Sequence, residues 1–164
     1  MPTPRRKIRI FISYAHSSSV SAQELIASLK EYMGPSKNFE YQFWHDVDLK
    51  VGEKWDERIK NELEVCDCGI LLVSAAFLNS KYIAETELAA LMNGDKLVFP
   101  VLLSKVNFEH HNLVGLQDFQ IFRYMDAGFS APRSFGEMRG PRKVDFVDRL
   151  FAQMEDRLID FSKK

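Results

Sequence analysis

Only two of the 164 residues are cysteine, Cys66 and Cys68, and a single residue separates them. Two thiols cannot build a disulfide framework, and the CxC spacing suits a bridge between them poorly. They are expected to be buried thiols in a reducing cytoplasm rather than a metal pair. No apolar run approaches the roughly 20 residues needed to cross a bilayer. The basic opening MPTPRRKIRIFISYA has neither a long apolar core nor a signal cleavage site. An excess of either charge is also missing. With 22 Lys and Arg against 23 Asp and Glu the net charge is −1, which does not favour nucleic acid or an anionic membrane as partner. Internal repeats and low-complexity stretches are absent. The remaining composition, 46% hydrophobic and 27% charged, is that of one soluble domain spanning 1–164 with its core at about 7–161.

The missing motifs narrow the chemistry further. FISYAHSSS, at the end of the first predicted strand, contains no glycine, which argues against a dinucleotide fold or a P-loop. A phosphoacceptor domain needs acidic residues after that strand and an Asp ending the third, where this chain has Ser13-Tyr14 and Ser74. There is no GxSxG elbow, and His16, His45, His110 and His111 are too scattered for a metal set.

What is present alternates between strand and helix. Lys7 to Tyr14 reads as a strand, and Ser21 with Glu24 forms a capping-box pattern opening a helix that Gly34-Pro35 stops. Phe39 to His45 is a second strand, followed by an acidic loop, Asp46 to Lys54. Trp55, Ile59 and Leu63 mark a second helix running to about Cys66. Gly69 to Val73 reads as a strand buried on both faces, and a loop through Ser80 leads to a helix from near Tyr82 to Asn93-Gly94. Leu97 to Leu103 is a further buried strand, with Pro100 implying a bulge or an edge. Phe119 to Phe122 is a short fifth strand, Tyr124 to Arg142 is irregular, and the last helix runs from about Val144 to Phe161. The alternation predicts an α/β fold, a parallel sheet with helices on both faces, whose ligands bind beyond the carboxyl ends of the strands.

One side chain is out of place. On a wheel of about 100° per residue, Ile83, Leu91, Ala84, Leu88 and Met92 form an apolar arc, and Glu87 falls inside it. A carboxylate there costs several kcal/mol, roughly, unless it is paired, protonated or at the mouth of a cleft. A single carboxylate cannot run a two-carboxylate glycoside hydrolysis. It can assist cleavage of an activated bond such as that to the nicotinamide of NAD, which departs neutral and leaves an oxocarbenium-like ribose to be stabilised. Ser13 and Ser74 are candidates to bind polar ligand groups, and Trp44, Trp55 and Tyr82 to supply flat faces for a base.

RIFISYAHSSS, FWHDVDLKVGEKWDERIKNEL and DCGILLVSAAFLNSKYIAETEL, in that order and spacing, resemble a TIR (Toll/interleukin-1 receptor) domain over nearly the whole chain. The resemblance implies a flavodoxin-like three-layer fold, with a five-stranded parallel sheet in order 2-1-3-4-5. It also implies an NAD-cleaving activity like that of many bacterial and plant TIR domains, with Glu87 as catalytic residue and NAD as substrate rather than cofactor. Tyr82 takes the place of the family's usual Trp and Ile83 that of its usual Cys. One residue more than usual separates Tyr82 from the carboxylate, so Glu85 competes with Glu87, and the wheel favours Glu87. Phe11, Ser13, Tyr14, Trp44 and Asp46 are expected at the pocket, and Lys50, Gly52 and Trp55 in or beside a closing loop, Asp46 to Glu53, that also joins neighbouring copies. Immune or antiphage signalling in the cytoplasm follows from the resemblance alone, as does self-association with other TIR domains. Two other classes remain open: a non-catalytic TIR interaction module, and a nucleoside deoxyribosyltransferase, which has a similar sheet and a catalytic Glu. The chain is either a whole protein or one domain of a larger one.

Overall fold

Four β-rich runs pair in parallel, in the order β2-β1-β3-β4, in a computed structural model that describes residues 4–45, 52, 54–92 and 96–163. β1 is Arg6–Ser13, β2 Phe39–Trp44, β3 Cys68–Val73 and β4 Leu97–Leu102. Early in β1 buried and exposed residues alternate, whereas Ile10 to Ser13 are all buried, because helices cover both faces of the sheet there. β3 is buried along its whole length, as its apolar run without alternation predicts. The register sets Phe11 beside Trp44 on one side and Gly69 on the other, with Ser13 beside Leu71.

Because side chains alternate across a strand, the two faces carry different clusters. Ile8, Ile10, Ile12 and Tyr14 face α1 (Ser19–Met33) and α5 (Pro141–Ser162). Phe11, Leu71 and Val73 face α2 (Trp55–Val65), α3 (Ala75–Leu78), a π-helical turn (Ile83–Leu88) and α4 (Ala89–Met92). Two helical layers therefore enclose the sheet. No helix among the described residues is long and apolar enough to cross a membrane.

The expected fifth strand is reduced to one rung. Phe122 forms a single parallel bridge with Val101, donating to the Pro100 carbonyl at 2.8 Å and accepting from the Leu102 amide at 2.9 Å. The next rung back would need an N–H from Pro100, which proline lacks. On the other side the Tyr124 amide turns away to the Arg133 carbonyl at 2.8 Å. The expected capping box at Ser21 and Glu24 is not the helix start either: the N-cap of α1 is Ser18, three residues earlier, and it makes no side-chain cap. A real capping box sits at Ser134 and Glu137, inside the segment expected to be irregular. The last helix is longer than its apolar stripe, because Pro141 occupies its first turn, where no N–H is needed. The C-terminal end expected at Asn93-Gly94 lies outside the described residues.

Both cysteines are buried and unbridged. Burial pushes both thiols above their ordinary range, most strongly Cys68 within β3.

Candidate functional site

Ser13 is the last residue of β1, at the carboxyl edge of the sheet, and its side chain shares a face with Phe11. Across from it stands Glu87, in the π-helical turn that follows β3 and α3. The Ser13 hydroxyl donates to Glu87 Oε2 at 2.6 Å, and both residues are buried, with 1% and 7% of their surface exposed. A hydroxyl aimed at a buried carboxylate fixes its orientation and offsets part of its desolvation. Glu85 has a different setting. It is exposed, and its carboxylate lies 3.9 Å from Lys81 in an i,i+4 surface pair. The two carboxylates left open by the spacing are thus separated by burial: one faces the sheet, the other the solvent.

The expected neighbours of Glu87 divide into two groups. Phe11 and Trp44 lie on its face of the sheet, with ring centroids 5.2 Å apart, and the Arg58 guanidinium sits 5.8 Å from the Trp44 ring. The Trp44 indole N–H is buried and meets no acceptor among the described residues. Tyr82, at the start of the Glu87 helix, packs its ring 5.2 Å from Trp55, and its hydroxyl donates to Asp56 Oδ1 at 3.0 Å. Together with Lys60, which contributes more, that hydroxyl holds the Asp56 carboxyl below its ordinary range. Trp55 is 55% exposed, although Ile59 and Leu63 on its stripe are buried.

Tyr14 belongs elsewhere. It points to the opposite face, where its hydroxyl accepts from Gln23 Nε2 at 2.9 Å and its ring lies near His16 and His45. Ser74 is buried as the N-cap of α3: its hydroxyl accepts from the Phe77 amide at 3.1 Å and from Ser18 Oγ at 3.3 Å. Gly52 has φ of +88°, a turn conformation suited to glycine. Asp46 and Lys50 lie outside the described residues.

Three features of the site went unread in the sequence. The short helix α3 had no signal beyond a Ser at its cap. Asp56 was legible only as an acid in the first turn of α2. The π-helical turn was announced by the extra residue between Tyr82 and Glu87, which bore on the choice of carboxylate but not on the shape of the helix.

Gly69 sets how closely this layer approaches the sheet. A Cβ added there would stand 2.8 Å from Leu91 Cδ1 and 3.0 Å from Cδ2, and Leu91 is fully buried. Gly69→Ala is therefore expected to push α4 outward and lower stability by about 1–3 kcal/mol in urea denaturation.

A sequence model of the TIR domain matches residues 10–134, which takes in β1 from Ile10 onward, the other three strands and the Ser13–Glu87 pair. The chain is 27% identical over 106 residues to the 2' cyclic ADP-D-ribose synthase BtTIR of Bacteroides thetaiotaomicron, covering 62% of this chain and 34% of that protein. It is also 27% identical over 105 residues to the uncharacterized protein y4lF of Sinorhizobium fredii, covering 62% of this chain and 32% of that protein. The match spans about a third of the length of these relatives.

Proposed function

This chain belongs to the TIR domain family, and we propose that it cleaves NAD+ at the bond between nicotinamide and ribose, with Glu87 as the catalytic carboxylate. The observation that carries this reading is the buried Glu87 carboxylate held by the Ser13 hydroxyl at the carboxyl edge of a parallel sheet. Similarity to a 2' cyclic ADP-D-ribose synthase supports it. In this reading the glycosidic C–N bond breaks and its electron pair leaves with nicotinamide, which becomes neutral. Glu87 stabilises the positive charge left on the ribose by its own charge and by accepting from a ribose hydroxyl. Water, a hydroxyl of the same ADP-ribose or a second base then captures the ribosyl cation, giving linear, cyclic or base-exchanged product. Phe11 and Trp44 form an apolar wall, and the Trp44 N–H offers a donor to the substrate. Tyr82 and Trp55 present flat faces for a base.

Self-association is part of the proposal. Trp55 is half exposed at the start of α2, directly after the segment 46–53 expected to meet a neighbouring copy. The same exposed ring also favours a second reading, a non-catalytic module that recruits other TIR domains in immune signalling. Raising the protein concentration in the presence of NAD+ separates the two. The enzyme reading expects nicotinamide release to climb more steeply than protein concentration, with the products identified by chromatography. Absence of release at every concentration leaves the recruiting module.

A further inference from the structure

We propose that the groove between α1 and α5 binds a small organic cation, a protonated amine carried on an apolar body. The groove lies across the sheet from Ser13 and Glu87, so it stands whatever bond that carboxylate acts on.

Helix periodicity builds the groove. Glu24, Ser28 and Glu31 recur at spacings of four and three along α1, and Lys143, Val147 and Phe151 recur every four residues along α5. Each set forms one stripe, and the two stripes line a common cavity of about 510 Å³. The middle position of the α1 stripe is a serine, which leaves the space open. The walls are largely apolar. Val147 is buried, and the Tyr32 and Phe151 rings meet edge to face with centroids 5.5 Å apart. Val144, which also lines the cavity, is left 59% exposed to water. A concave, mostly apolar space of this size suits a small molecule. At a rise of about 1.5 Å per residue, the stripe from Lys143 to Phe151 is only about 12 Å long, which favours such a ligand over a docked helix.

Charge selects the sign of the ligand. Glu31 lines the groove, is exposed and pairs with no cation among the described residues. The Tyr32 hydroxyl donates to Asp148 Oδ1 at 2.5 Å, and this bond is the first cause that pushes the phenol above its ordinary range. Where the stripes run out, the hydroxyl of Ser36, a lining residue, donates to Glu155 on α5. Glu155 is buried, its other oxygen accepts from the Tyr41 hydroxyl at 2.7 Å, and no basic group meets it among the described residues. The surrounding cations are engaged elsewhere. Lys143 pairs with Glu24 and stands 5.3 Å from the Phe135 ring, while Arg5 donates to the carbonyls of Gly34, Ser36 and Phe39. Arg142 and Arg149 lie against Phe129 and Tyr124. Glu31 and Glu155 are thus left without a countercharge, and an ammonium in the groove supplies it while its apolar body covers Val144, Val147 and Phe151.

The test titrates the full chain, labelled with nitrogen-15, against three probes of similar size: 2-phenylethylamine, 2-phenylethanol and 3-phenylpropionate. The amine is expected to move amide resonances of residues 24–36 and 143–151 in a saturable way. The neutral alcohol should bind at least about tenfold more weakly, and the carboxylate should give no saturable shift. Glu31→Gln should weaken amine binding by about threefold to tenfold with an unchanged thermal midpoint. Ser28→Phe, which fills the groove, should abolish binding; if that variant fails to fold, Glu31→Gln at its exposed position still decides. Equal affinity for amine and alcohol, shifts confined to the Glu87 face, or undiminished binding by Glu31→Gln would each overturn the proposal. So would the absence of any saturable shift. Shifts on α1 and α5 that follow protein concentration alone would overturn it too, and give this face to a second copy of the chain.

Discussion

Glu87→Gln is expected to reduce nicotinamide release from NAD+ by at least about a hundredfold, the usual loss when a preorganised group facing developing charge is removed. The substitution keeps the side chain's volume and leaves a carbonyl oxygen to accept from Ser13, so the packing of Ile83, Leu88 and Leu91 around it is retained. The thermal midpoint is accordingly expected within about 3 °C of the parent, as for a change that costs well under about 1 kcal/mol. That combination, a dead enzyme that folds normally, separates a catalytic carboxylate from a structural one. The parallel substitution Glu85→Gln should leave turnover unchanged, since it removes only an exposed pair with Lys81 of the kind that contributes little. Activity that survives Glu87→Gln but is lost with Glu85→Gln would transfer the role to Glu85. Activity unaffected by either would remove the carboxylate mechanism altogether.

The sequence carried the parallel layering well because strand burial writes itself into composition. β3, apolar at every position, needs cover on both faces, and the half-alternating β1 marks where that cover begins. It carried the burial of Glu87 and the exposure of Glu85 because helix geometry couples nearby positions to opposite environments. It did not carry the end of the sheet. Residues Phe119 to Phe122 have strand-like character, but whether they pair depends on Pro100 in another strand and on the Tyr124 amide finding Arg133. Such partnerships lie outside any local window. The wheel at constant pitch set Glu87, Leu88 and Leu91 in one arc with Ile83, and all four are buried, but it gave no sign of the π-helical turn from Ile83 to Leu88. Tyr14 is grouped with Ser13 by the family resemblance, and strand alternation sends the two side chains to opposite faces of the sheet.

Phe146→Ala is expected to cost about 3–5 kcal/mol, the largest stability loss of any substitution considered, with an unchanged urea m-value. Phe146 is fully buried in α5, and its ring meets three others from the chain between β4 and that helix. The centroids lie 5.0 Å from Phe122, 6.4 Å from Tyr124 and 5.4 Å from Phe135. Those contacts hold in place a stretch with little regular hydrogen bonding of its own. Within it the backbone pairing of Tyr124 with Arg133 forms a single bridge, and the Arg133 and Arg142 guanidiniums lie 4.0 Å and 4.5 Å from Phe129. Truncating the central ring leaves a cavity that Phe122, Tyr124 and Phe135, each fixed by its own backbone, cannot close together, so the loss should fall at the high end for a large core residue. Against a domain stability of roughly 5–15 kcal/mol this is a large fraction. The effect should nevertheless stop at stability. Phe146 packs on the α1 and α5 face of the sheet, whereas Ser13 and Glu87 meet on the other. Turnover per folded molecule is therefore expected to match the parent when assayed well below the midpoint. A loss below about 1 kcal/mol would show that the 123–140 segment docks without α5. A selective loss of turnover would show instead that the two faces are coupled through the strands between them.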